Sequence, residues 1–199
     1  MIQQSYKRVS FTGEQPYPKT RSLLDSLLEG GYILYARHAE ATVGVDQPNL
    51  NFQDCSTQRN LSSTGRRQAI IYGETIRRLR IPILKPIISS PFCRNIETAA
   101  LAFGLVNIQI DRFWFDVYRL GGIIGDSERL RILNTLNLVL ESPPPFRTNK
   151  VIIGHNFPEG SGLGNIPDMG TVIVKPLGQG NGYAVIGRLS LEELINLMK

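Results

Sequence analysis

Only two histidines occur in the 199 residues, and each directly follows a short apolar run. His38 comes after Tyr32-Ile33-Leu34-Tyr35-Ala36-Arg37, and His155 after Val151-Ile152-Ile153-Gly154. A third run, Ile87-Ile88-Ser89-Ser90, leads through Pro91-Phe92-Cys93 to Arg94 and so delivers an arginine in the same manner. Two imidazoles and the guanidinium groups of Arg37 and Arg94 suit an anion that undergoes chemistry, and phosphate fits best. The planar guanidinium fork is always charged and binds oxyanions bidentately.

For these groups to meet, the three runs must be strands of one sheet. Each is short, apolar and bounded by turn or polar residues, as buried strands are. Side chains at the carboxyl ends of such strands face the crevice where α/β sheets bind ligands. The full pattern predicts strands at Tyr32–Ala36, Pro86–Ser90, Asn107–Ile110, Lys150–Gly154, Thr171–Lys175 and Tyr183–Leu189. Between them it predicts helices over Thr20–Glu29, from the Ser62 cap to Pro82, over Pro91–Phe103 and over Ser127–Leu140, with a last one capped by Ser190. Leu130, Leu133, Leu136 and Leu140 supply the apolar stripe of the Ser127–Leu140 helix. Strands alternating with helices predict an α/β fold, a three-layer α/β/α sandwich with a mostly parallel central sheet. The 199 residues read as one domain, with residues 1–19 an irregular lead-in around Pro16 and Pro18. Thr42–Asn60 is too long for a simple connection and reads as a substrate-facing or mobile loop.

With 42% hydrophobic and 20% charged residues, the chain is an ordinary globular protein rather than a disordered one. The formal charge of +5 invites a nucleic-acid reading. Arg66, Arg67, Arg77, Arg78 and Arg80 share one predicted helix whose apolar stripe is Ala69, Tyr72, Ile76 and Leu79, so the arginines read as its solvated face. No aromatic-interleaved basic strand accompanies them, and no nucleic-acid partner is expected. Nor is a membrane, because no apolar stretch nears the roughly 20 residues that span a bilayer. The polar segment Met1–Arg21 is no signal peptide, so the expectation as written is cytoplasmic, an exported form requiring a leader that has been removed.

Four blocks of the chain resemble those of the histidine phosphatase superfamily, which includes the phosphoglycerate mutases. Arg37-His38-Ala39-Glu40 is similar to its Arg-His-Gly-Glu signature, and Ser89-Ser90-Pro91-Phe92-Cys93-Arg94-Asn95-Ile96-Glu97-Thr98-Ala99 to its Ser-Pro-x-x-Arg-x-x-x-Thr-Ala block. Gly154-His155 matches the second histidine, and Leu61-Ser62-Ser63-Thr64-Gly65-Arg66-Arg67-Gln68-Ala69 the helix-opening block. The blocks stand in the family's order and hold every histidine of the chain. Ala39 and Asn156 depart from the glycines usual there, which bears on subfamily more than on reaction.

The resemblance implies a phosphoglycerate mutase-like sandwich and a phosphatase that acts on a phosphomonoester or a phosphohistidine through a covalent phosphohistidine on His38. Arg37, Arg94 and His155 would clamp the non-bridging oxygens, with Arg59 and Asn60 of the long loop as further candidates. The partner implied is a small phosphorylated molecule or a phosphoprotein. No cofactor and no metal are expected, since arginine supplies the charge and two histidines without close carboxylate spacing make a poor metal site. Glu40 and Glu97 read as structural partners of arginines.

A proton donor to the leaving group is also expected. In the mutase-like branch it follows the third strand near a tryptophan, which makes Asp116 the first candidate, Glu159 the alternative and Asp168 the third. Two other functions compete. A mutase-type phosphotransferase would carry an Asn-x-x-Asn-x-Phe-x-Gly-Trp run that Thr42–Asn60 lacks. A non-catalytic phosphate-binding protein would usually have lost the nucleophile or a clamp residue, and all four are present. Cys55 and Cys93 are expected as free thiols, the usual cytosolic state. A bridge is the competing expectation, because Cys93 adjoins Arg94 and Cys55 lies in the loop that should cover the same edge.

Overall fold

Helices lie on both faces of a six-stranded sheet in the computed structural model, which describes residues 22–198. The expected lead-in over residues 1–19 lies outside the described residues. Helix α1 spans Leu23–Glu29 and opens on Ser22, whose hydroxyl accepts from the Asp25 amide while the Asp25 carboxylate accepts from the Ser22 amide. The elements that follow are β1 (Ile33–Arg37), α2 (Ser63–Arg78), β2 (Ile87–Ser89), α3 (Cys93–Phe103) and β3 (Ile108–Ile110). They continue with α4 (Phe113–Arg119), α5 (Asp126–Glu141), β4 (Lys150–Gly154), β5 (Thr171–Pro176), β6 (Tyr183–Leu189) and α6 (Leu191–Asn196). Ser62 caps α2 by accepting from the Gly65 amide, and Ser190 caps α6 by accepting from that of Glu193.

The strand order is β3-β2-β4-β1-β5-β6. Pairs β2/β3, β2/β4 and β1/β4 are parallel, and β5 runs antiparallel to both β1 and β6. Side chains alternate between the faces, as the pleat requires. Leu34, Ala36, Val151 and Ile153 pack with Leu27, Tyr72, Ile76, Ala99 and Leu194 on one side. Ile33, Tyr35 and Ile152 pack with Trp114, Val117, Ile132, Leu136 and Leu140 on the other. Each face buries its apolar residues against its own helices, so the expected sandwich forms. Parallel pairing of β1 and β4 sets Arg37 against Gly154, and His38 and His155 therefore leave neighbouring strands at one level.

Two local expectations are corrected, and one helix was not foreseen. Residues 113–119 form α4, a helix not anticipated, because Phe113-Trp114-Phe115 and Val117-Tyr118 are aromatic and β-branched types that favour strands. Its buried residues Trp114 and Val117 stand three apart, the helical spacing that packs it on the sheet. On α5, Leu130 is 60% exposed and Ile132 takes its place in the buried stripe with Leu136 and Leu140. The free-thiol expectation also fails, since Cys55 and Cys93 form a disulfide with Cα atoms 5.8 Å apart.

Candidate active site

Three strand ends converge on the crevice beyond β1, β4 and β2. His38 and His155 meet there with ring centroids 5.5 Å apart, nearly edge to face, and each is only 2% exposed. Two glycines permit the close approach. A Cβ on Gly65 would collide with the carbonyl of Glu40, so glycine lets α2 begin directly against the segment after His38. At Gly154 a Cβ would collide with the phenol of Tyr35. That phenol donates to the His155 carbonyl at 2.8 Å and accepts from its amide at 2.9 Å, fixing the backbone that carries the second imidazole.

The Nδ1 atom of His38 lies 2.7 Å from the carbonyl of Ala39. A carbonyl only accepts, so Nδ1 carries the proton and Nε2 bears the lone pair. Burial pushes the His38 pKa down from 6.5 to about 3, and the charges of Arg94, Arg37 and Arg59 push the same way against the Ala39 hydrogen bond. His155 is held well below its ordinary value by burial first, then by His38 and the three arginines. Both rings are therefore neutral at pH 7. The Nε2 of His155 is hydrogen-bonded to the Ser90 hydroxyl at 2.7 Å.

Arg37 and Arg94 are each engaged at their terminal nitrogens by the chain itself. In Arg37, Nη1 donates to the Ile166 carbonyl at 2.9 Å and Nη2 lies 2.9 Å from the Asp168 carboxylate. The Arg94 side chain is completely buried. Its Nη1 and Nη2 donate to the two carboxylate oxygens of Asp46 at 2.8 and 3.0 Å, and its guanidinium stacks 4.2 Å over the Phe92 ring. The Nε of each arginine is buried without a hydrogen-bond partner among the described residues. Phe92 and Tyr118 also pack against the His155 ring, at 4.9 and 5.1 Å.

Arg37, His38, Arg94 and His155 are thus brought together, and the remaining candidates behave differently. Arg59 reaches the cluster through its backbone, its amide donating to Asp46 and its carbonyl accepting from Arg94, while its charge acts on both imidazoles. The structure does not bring Asn60 to the imidazoles. Its amide donates to the carbonyls of Cys55 and Gln58, and its backbone pairs with Val43. Asp116 is turned away as well, its carboxylate 3.0 Å from Arg131 and 3.7 Å from Arg119. The reason is helical: Phe115 and Tyr118 share the face of α4 that meets Phe92, and Asp116 stands on the next face round. Glu159 is exposed in the turn after β4. Asp168 lies at the site, but as the partner of Arg37. Of the two structural glutamates, Glu97 pairs with Arg66 as expected, and Glu40 accepts from the Ser62 hydroxyl instead.

Asp46, Tyr118, Ser90 and Tyr35 contact the cluster, and the sequence reading did not single them out. The i, i+3 spacing of Phe115 and Tyr118 on one face could have found Tyr118. Nothing in the spacing of the long loop marks Asp46.

No protein-family profile matches the chain, and no curated protein matches it significantly. Solved structures do. The mycobacterial hydrolase 1 superposes with a TM-score of 0.54 at 13% identity, over 79% of this chain and 97% of that one. A protein histidine phosphatase SixA, solved with tungstate, superposes with a TM-score of 0.50 at 12% identity, over 82% of this chain and 99% of that one. The chain has the fold of the histidine phosphatases.

Proposed function

We propose that the chain is a phosphatase that transfers a phosphoryl group to Nε2 of His38 and then to water. In the first step the N–P bond forms as the bond from phosphorus to the leaving group breaks, in line. In the second, water attacks phosphorus, phosphate leaves and the neutral imidazole returns. The observation that carries this reading is the state of His38: buried, neutral, its Nδ1–H committed to Ala39 and its Nε2 lone pair available. The unpartnered Nε–H groups of Arg37 and Arg94 support it, since charge spread over the non-bridging oxygens is what such a transfer must stabilise. His155, steadied by Ser90 and Tyr35, is the third group at the same oxygens.

The substrate class follows from the carboxylates. Asp46 and Asp168 are ion-pair partners of Arg94 and Arg37, Asp116 is bound to Arg131, and Glu159 is exposed. Both carboxylates that reach the crevice are thus engaged by its arginines rather than turned toward a leaving group. That favours leaving groups that depart without help, an aryl oxide or the imidazole of a phosphohistidine, over simple alkyl phosphates. The Cys55–Cys93 bond favours an oxidising compartment over the cytoplasm. Turnover of p-nitrophenyl phosphate tests the reading. Wild type should hydrolyse it with potent inhibition by orthovanadate, and His38→Ala should lose essentially all turnover while keeping its fold. Appreciable activity in His38→Ala would sink the mechanism.

A further inference from the structure

The hydrogen bonds of Arg94 divide its guanidinium in two. Of five N–H groups, three are taken: Nη1 donates to Asp46 and to the Arg59 carbonyl at 3.1 Å, and Nη2 donates to Asp46. The two that remain, Nε–H and the second hydrogen of Nη2, lie on one edge of the plane and point the same way. That edge is itself a bidentate donor for two oxygens of one phosphoryl group. Asp46 is saturated from its own side, since Oδ1 also accepts from the Arg59 amide at 2.9 Å and Oδ2 from the Tyr118 hydroxyl at 3.0 Å. Burial opposes ionisation of Asp46, but these bonds outweigh it and hold its carboxyl below the usual range.

We propose that Asp46 and Tyr118 are positioning residues, holding Arg94 by its terminal nitrogens so that its Nε edge is presented to a phosphoryl group. The assignment rests on the phosphoryl-binding reading of the site. A guanidinium with no exposed surface needs a counter-charge when no substrate is present, and Asp46 supplies it. Phe92 beneath the plane and Tyr118 at its side restrict rotation of the group. Arg37 repeats the division independently: Ile166 and Asp168 take its terminal nitrogens, and Nε is again left without a partner. The alternative is that Asp46 occupies the substrate's place and must be displaced. Under that arrangement there is no reason for Nε of both arginines to be left without a partner.

Orthovanadate inhibition and calorimetric binding of inorganic phosphate by the full, oxidised chain separate the two. Asp46→Asn should weaken both by about 10- to 100-fold, the size expected when a clamp shifts by around an ångström. Tyr118→Phe should weaken them a few-fold. Circular dichroism and melting should show both variants folded. Arg94→Lys should cost much less in the Asp46→Asn background than in wild type, because the edge is already lost; a merely structural role for Asp46 gives independent, multiplying losses. Equal or tighter vanadate binding by Asp46→Asn overturns the proposal, as do multiplying losses or a wild type that binds neither anion. If Asp46→Asn does not fold, Tyr118→Phe decides, and unchanged affinity there overturns it. Binding does not depend on turnover. An active His38→Ala alongside weakened binding by Asp46→Asn would therefore remove the phosphatase mechanism and leave this assignment standing.

Discussion

At the scale of residues, the site is an exercise in assigning partners to charges. Arg37 and Arg94 each have a carboxylate partner, Asp168 and Asp46, and each of these carboxylates is engaged by its arginine. Asp116 illustrates the consequence. Its type and its place after the third strand made it the first candidate for a proton donor, yet α4 turns it toward Arg131. Asp116→Asn should therefore leave the rates on p-nitrophenyl phosphate and on an alkyl phosphate unchanged. Wild type itself should hydrolyse the aryl ester far faster than the alkyl one. Steady-state kinetics on the two esters check both statements, and a selective loss on the alkyl ester in Asp116→Asn would restore it as the acid. The two imidazoles and two arginines were legible in the sequence, because strand ends in such sheets deliver side chains to one crevice. Asp46 was not, because a loop residue's partner is set by where the loop lands and not by its spacing.

At the scale of elements, β1, β4 and the start of α3 bring the two imidazoles and two guanidinium groups together, and residues 42–60 close over them. That loop is held by the Cys55–Cys93 bond, by the Gln58 carboxamide oxygen accepting from the Cys93 amide, and by Phe52 against Phe92 and Phe115. Cys93 immediately precedes Arg94, so the bond ties the loop that carries Asp46 to the helix that carries its partner. Reduction should cost about 2–4 kcal/mol of stability, the usual contribution of such a bridge. Urea unfolding with and without reductant measures it, and coincident midpoints would contradict it. Most elements could be read from apolar runs, caps and prolines, with boundaries within a few residues. The loop's closure and α4 could not. One depends on a cysteine pairing that position only suggested, and the other on tertiary burial of Trp114 and Val117 overriding strand-like residue types.

Across the whole molecule, two neutral buried imidazoles make stability depend on pH. His38 titrates near 3 in the folded chain and near 6.5 when unfolded, so below about 6.5 the unfolded chain binds the extra proton. His155 is depressed in the same direction. The His38 contribution is complete above pH 6.5 and is lost as the pH falls toward 3, and that of His155 is lost in the same direction. Denaturation midpoints should decline across that window, and the decline should be shallower in His38→Gln. A slope identical to wild type would show that His38 is not held neutral. The central claim is that His38 itself carries the phosphoryl group. Rapid acid-free quenching of wild type during turnover of labelled substrate, followed by alkaline peptide mapping, tests it most directly. Base-stable, acid-labile phosphate should be found on the peptide containing His38 and be absent from His38→Ala. Label on the His155 peptide, or label persisting in His38→Ala, would contradict it.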